Sequence, residues 1–200
     1  RPKKCLSLHY KFWEKMLLYL KYLIQLLLAP SDGWQDVADS APSPAELTRR
    51  GFLPLLGVVA VSELCGLLYN KGLGFDVQII RGVIDFGACF VALYVAGIVF
   101  DVFLGGVSAT SDSAVVRWKG QILAVMALGE MALIRLVCNL LQAEITILRF
   151  LPLYVVLILY KAAPYAGVRA DSVMRFTAVA ALATVVTSEL IHYLLTMILL

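Results

Sequence analysis

The sequence predicts an all-α integral membrane protein: five transmembrane helices preceded by an amphipathic interfacial helix. Three observations carry this. Of 200 residues, 61% are hydrophobic and only 16% charged. Mean hydropathy is +0.86, whereas a soluble domain is nearer half apolar and a quarter charged. The apolar residues also fall in long runs, and one core of a 200-residue chain could not bury them all. The composition excludes a disordered chain, a disulfide-stapled secreted scaffold and an ordinary soluble enzyme.

Residues 1–50 read as a cytoplasmic N-terminal region, and 51–200 as the transmembrane domain. Within the first, residues 11–29 place Lys11, Glu14, Lys15, Lys21 and Gln25 on one helical stripe, among Phe, Trp, Leu, Ile and Tyr. Charge interrupts this run too often for a membrane span, which needs about 20 mainly apolar residues. A helix lying in the membrane interface fits, with Lys11, Lys15 and Lys21 toward anionic headgroups and Trp13, Tyr19, Tyr22 and Trp34 as interface anchors. The alternative is a helix packed beneath the bundle. Pro30 stops this helix, and Ser31 or Asp32 is placed to cap a short one over 34–38. A Ser/Pro/Ala linker follows over 39–44, and Arg49 and Arg50 mark the membrane boundary.

The five spans are expected at about 51–69, 77–104, 120–141, 150–165 and 173–200. Gly82, Gly87 and Gly97, with Ala88, Ala92 and Ala96, make the second span the expected packing hub, since small residues let helices approach closely. Asp112 or Ser113 should cap the third. The fourth is short and carries Lys161, which can snorkel to the interface. Of the 17 Lys and Arg, 13 fall in the N-terminal region, 105–119 and 161–175. The positive-inside bias therefore places the N-terminus in the cytoplasm and the C-terminus outside.

Six ionisable residues form the candidate intramembrane cluster: Glu63, Asp85, Glu130, Arg135, Glu189 and His192. Glu63, Glu130 and Glu189 fall near one expected layer, with Arg135 roughly 7 Å beyond Glu130 at 1.5 Å per residue. Four acids against one firm cation cannot all be ionised and dry. Glu189 and His192 share a helix face, and Arg81 and Asp85 form a possible i, i+4 pair. One Glu-x-x-His pair makes no metal site, and the four cysteines lack CxxC spacing. No P-loop, GxSxG or HExxH occurs, so neither a cofactor nor a catalytic residue is indicated. The net charge of +3 is too small to argue for nucleic acid.

The order of features resembles the Yip family of Ypt/Rab-interacting membrane proteins, in its bacterial branch. The residues carrying this are Leu28-Ala29-Pro30-Ser31-Asp32-Gly33-Trp34-Gln35-Asp36-Val37, then Leu153–Leu157 through Tyr160-Lys161, and Gly167–Ser172 leading into an Ala- and Val-rich last helix. The resemblance implies a multi-pass protein of the bacterial inner membrane without settled chemistry. The acidic-Leu-Tyr-Gly-Pro motif of eukaryotic members is absent, so no Rab-binding role is implied. Two functional readings follow. One is a membrane-organising or interaction protein, with the lipid bilayer, other membrane proteins or further copies of itself as partners. The other is a small proton- or cation-coupled transporter or channel subunit using the intramembrane carboxylates.

Overall fold

The computed structural model describes residues 2–69, 72, 74–110, 112–141 and 150–200, with side chains from residue 13 onward. Among these residues the backbone is helical apart from short connections and one isolated bridge between Ser108 and Val168. We label the helices α1 (Pro2–Leu28), α2 (Pro30–Ser40), α3 (Pro44–Tyr69), α4 (Phe75–Val107), α5 (Ser113–Leu141), α6 (Leu151–Ala166) and α7 (Ala170–Leu199). Four of them, α3, α4, α5 and α7, are long and apolar enough to cross a membrane. The chain thus has the build of an all-α membrane protein. The 16 residues of α6 reach only about 24 Å at 1.5 Å per residue, short of a hydrocarbon core of about 30 Å.

The long helices start and stop for local reasons. Asp112 caps α5, its Oδ1 accepting the N–H groups of Ala114 (2.9 Å) and Val115 (3.5 Å). Gly167 ends α6 in the left-handed conformation at φ 74°, and its N–H reaches the Pro164 carbonyl. Within α3, Pro54 has no N–H to give the preceding turn. The helix relaxes there into a π-type turn over Thr48–Phe52, closed by Leu53 N–H on the Thr48 carbonyl.

α4 is the hub that its small residues predict. It packs against α3, α5 and α7, and Ala88, Ala92 and Ala96 are fully buried. At Gly82 an added Cβ would collide with the Ala60 carbonyl of α3. Gly97 differs, because nothing lies within 4 Å of where its Cβ would be. The outer surfaces carry Val58, Phe90, Tyr94, Val102, Leu182 and Met197 exposed, as lipid-facing helices require.

The N-terminal region departs from the expected surface helix. Tyr19, Leu23 and Leu26 are completely buried and Tyr22 nearly so. The Tyr19 ring lies over Gly51, its tip meets Gly129, and its hydroxyl donates to the Val125 carbonyl at 2.8 Å. Lys15 pairs with Glu46 at 3.5 Å. α1 therefore runs alongside the start of α3 and reaches the middle of α5. Pro30 does not end helical structure; it takes the first position of α2, where its missing N–H costs nothing. Ser31 and Asp32 sit in that first turn, and Ala29 rather than either of them holds the cap position.

α2 turns back along α6. Trp34 donates its indole N–H to the Ile158 carbonyl (2.9 Å), and Tyr154 donates to the Leu27 carbonyl (2.9 Å). Trp118 of α5 holds the Pro42 carbonyl at 3.2 Å. Residues 13–42 thus form a helical hairpin clasped by α3, α5 and α6, and the boundary drawn at 50/51 falls inside α3. Tyr19, Tyr22 and Trp34 are consequently core residues, not interface anchors. The Tyr19 ring fills the gap left by Gly51 and Gly129, and the Tyr19 and Trp34 polar atoms satisfy carbonyls inside the bundle. Trp13 and Lys21 remain exposed, while the side chain of Lys11 lies outside the described residues.

The Tyr19 seat yields a direct expectation. Gly129→Val closes the space taken by the Tyr19 hydroxyl and should lower the unfolding temperature in detergent. Tyr19→Phe loses one buried hydrogen bond and should cost only about 1 kcal/mol. Equal melting of wild type and Gly129→Val would show that α1 does not dock there.

Candidate functional site

The polar residues of the spans separate into two places. The first lies toward the end of the bundle formed by Tyr69, Phe75, Leu141 and Leu199. Here α4, α5 and α7 each contribute charge. Arg135 of α5 donates through one terminal nitrogen to Asp85 Oδ1 of α4 and through the other to Glu189 Oε1 of α7, at 2.9 Å for the latter. His192 places Nε2 at 3.2 Å from the same Asp85 oxygen. The guanidinium fork suits this task, because it presents two donors in one plane to two different helices. Asp85 and Arg135 expose 6% and 12% of their side chains, whereas Glu189 exposes 51%. The Asp85–Arg135 link is therefore the desolvated one.

Glu63 of α3 adjoins this group through Asp85 and Asn139. It also lines a cleft of about 250 Å³ with Arg81, Ile84, His192, Thr196 and Leu200. Asn139 donates to the Ser62 hydroxyl at 3.1 Å. Short 3-10 geometry over Glu63–Cys65 tightens α3 at this level. Five of the six expected cluster members, Glu63, Asp85, Arg135, Glu189 and His192, are thus brought together.

Glu130 is not one of them. It is fully buried, faces Tyr19 where α1 crosses α5, and among the described residues neither carboxyl oxygen has a hydrogen-bond partner. The reason is rotational. Five residues separate Glu130 from Arg135, which puts them about 140° apart around a helix of 3.6 residues per turn. The packing leaves no partner for a charge there, and an unpaired buried carboxylate costs several kcal/mol.

Two expected pairs also re-form differently. Arg81 does not pair with Asp85 along α4; Asp85 turns to Arg135 and His192, and Arg81 faces the cleft beside Glu63. Glu189 and His192 share a face of α7 as their spacing requires, yet each bonds across to another helix. Asn139 is the member that the sequence did not single out; it was legible as an amide in the apolar stretch 136–141.

The chemistry available here is that of a structural ion network. The groups satisfy one another across four helices, and among the described residues no group of three or more His, Cys, Asp or Glu is arranged to hold a metal ion.

Breaking the network should therefore be read in stability. Asp85→Asn leaves Arg135 without its buried counter-charge and should cost roughly 3 kcal/mol. Glu189→Gln, at a half-exposed position, should cost under about 1 kcal/mol. Glu130→Gln removes no bond and should melt at or above the wild-type temperature. Thermal unfolding in one detergent ranks all three, and a larger loss for Glu189→Gln than for Asp85→Asn would contradict the geometry. The chain matches no protein-family model, no curated protein and no solved structure.

Proposed function

We propose that this is a non-enzymatic membrane-organising or interaction protein, with five crossings of the bilayer and an N-terminal helical hairpin set into its cytoplasmic side. The observation that carries this reading is the two-faced character of α1. One face, Tyr19, Tyr22, Leu23 and Leu26, is buried in the bundle. A second, with Trp13, Leu17, Ile24 and Leu28, is apolar and exposed. Between them runs the polar stripe of Glu14, Lys15, Lys21 and Gln25. A helix with two apolar faces and one narrow polar stripe belongs at a boundary where protein, lipid and water meet. α2 completes it by turning Asp32, Gln35, Asp36 and Asp39 outward, all exposed, which gives the hairpin a wet acidic edge for partners.

The short α6 supplies the remaining crossing. It joins α5 to α7, whose neighbouring ends lie at opposite ends of the bundle. The N-terminus is then cytoplasmic and the C-terminus outside, in keeping with the placement of basic residues. The Yip-type, bacterial inner-membrane assignment rests on the sequence resemblance alone. The transporter reading loses its support in Glu130, which is sealed against Tyr19 and separate from the Arg135 network.

Nitroxide labels on the full-length protein in vesicles test the hairpin. Labels at Leu17 and Ile24 should be accessible to oxygen and shielded from water-soluble relaxants, and a label at Asp36 the reverse. Equal aqueous accessibility at Ile24 and Asp36 would contradict the placement. Proton flux in the same proteoliposomes should not exceed that of empty vesicles. Flux lost in Glu130→Gln would restore the transporter reading.

A further inference from the structure

A groove on the side of the bundle lies between the start of α3, the second half of α4 and the first half of α5. It measures about 550 Å³, within the range of small-ligand sites. Its walls are apolar: Phe90, Leu93, Tyr94, Ala124 and Val125. Its floor is open because Gly97 has no side chain and no neighbour within 4 Å of where a Cβ would stand. Phe90 and Tyr94 are exposed beside it, at 49% and 74%, on the face that meets lipid.

One end of this groove is charged. Arg49 lines both the groove and an adjoining pocket of about 530 Å³ with Ser43, Glu46 and Arg50. Each acid there already has a basic partner: Glu46 is held by Arg50 (3.0 Å) and Lys15 (3.5 Å), and Asp101 by Arg117 through Oδ2 (3.3 Å), while Asp101 Oδ1 is buried without a hydrogen-bond partner among the described residues. Four bases thus meet two acids, and among the described residues Arg49 has no carboxylate partner. This mouth sits at the end where the chain concentrates its basic residues.

An apolar trough beside the bilayer that ends at an unneutralised guanidinium matches an anionic lipid in both halves. We infer that the groove is a binding site for an anionic glycerophospholipid of the surrounding bilayer. An acyl chain lies along Gly97 between Phe90 and Val125, and the headgroup phosphate is held by Arg49, with Arg50 beside it. Arginine recognises phosphate through a planar fork of donors. Gly97 is small for the ligand's sake: no neighbour lies within 4 Å of where its Cβ would stand, whereas Gly82 is pressed against the Ala60 carbonyl of α3.

Full-length protein in detergent, loaded with phosphatidylglycerol or phosphatidylcholine of identical chains, tests the site by native mass spectrometry. Wild type should retain phosphatidylglycerol about five-fold better, the effect of one basic residue worth about 1 kcal/mol. Arg49→Gln, an exposed substitution, should reduce that preference to none. Gly97→Leu fills the trough and should cut retention of both lipids at least about five-fold, with its fold checked by circular dichroism. If Gly97→Leu fails to fold, Arg49→Gln decides alone. Equal retention of the two lipids by wild type, or a preference unchanged in Arg49→Gln, would overturn the inference.

Discussion

Arg135 carries a charge that it cannot discard into a place where four apolar helices meet. Lipid-facing helices gain little from hydrophobic association, because the bilayer is as apolar as their side chains. Close packing of α4 brings the bundle together, but a smooth Gly/Ala seam resists sliding weakly. The fork of Arg135, fixed to Asp85 on α4 and Glu189 on α7, supplies directional bonds. Any slip of one residue along α4 or α7 leaves a buried charge unpaired, at a cost of several kcal/mol. The positions of Glu63, His192 and Asn139 around this group follow from it.

The opposite half of the bundle is organised by shape. Gly51 and Gly129 leave a slot that the Tyr19 ring enters, and Gly33 lets α2 lie against Leu26 of α1. The hairpin is thereby committed to the protein on one face, while Leu17, Ile24 and Leu28 of its other apolar face are exposed. The two halves differ in function as well as in force. Charge locks the helices at one end. At the other, the hairpin, the basic mouth of the groove and the acidic edge of α2 are the surfaces proposed to meet lipid and partners.

Much of this was legible in the sequence. The long apolar runs marked four helices long and apolar enough to cross a membrane, though α3 and α5 start seven residues earlier than expected, and the remaining expected span is the short α6. Asp112 was one of two residues placed as a cap, and the small residues of α4 marked the hub. The separation of Glu130 from Arg135 was legible too, in the angle between them. Depth along a helix was the wrong coordinate, because two residues in one layer can still point to different neighbours. What the sequence could not disclose was which apolar face of α1 meets protein. Tyr and Trp are as suited to a membrane interface as to a core with a carbonyl to satisfy. That choice was made by glycines at 51 and 129, far along the chain. The same holds for Gly97, which in sequence reads as one more packing residue.

The register of α4 against α5 depends on Arg135 and Asp85 acting as one unit. A double-mutant cycle with Asp85→Asn, Arg135→Gln and both together, followed by reversible unfolding in one detergent, measures this directly. The geometry predicts a coupling of roughly 2 kcal/mol, with the double variant far less damaged than the two single losses imply. Additive losses would mean that the guanidinium does not hold α4 and α5 in register, and the ion network would not be what orders the bundle.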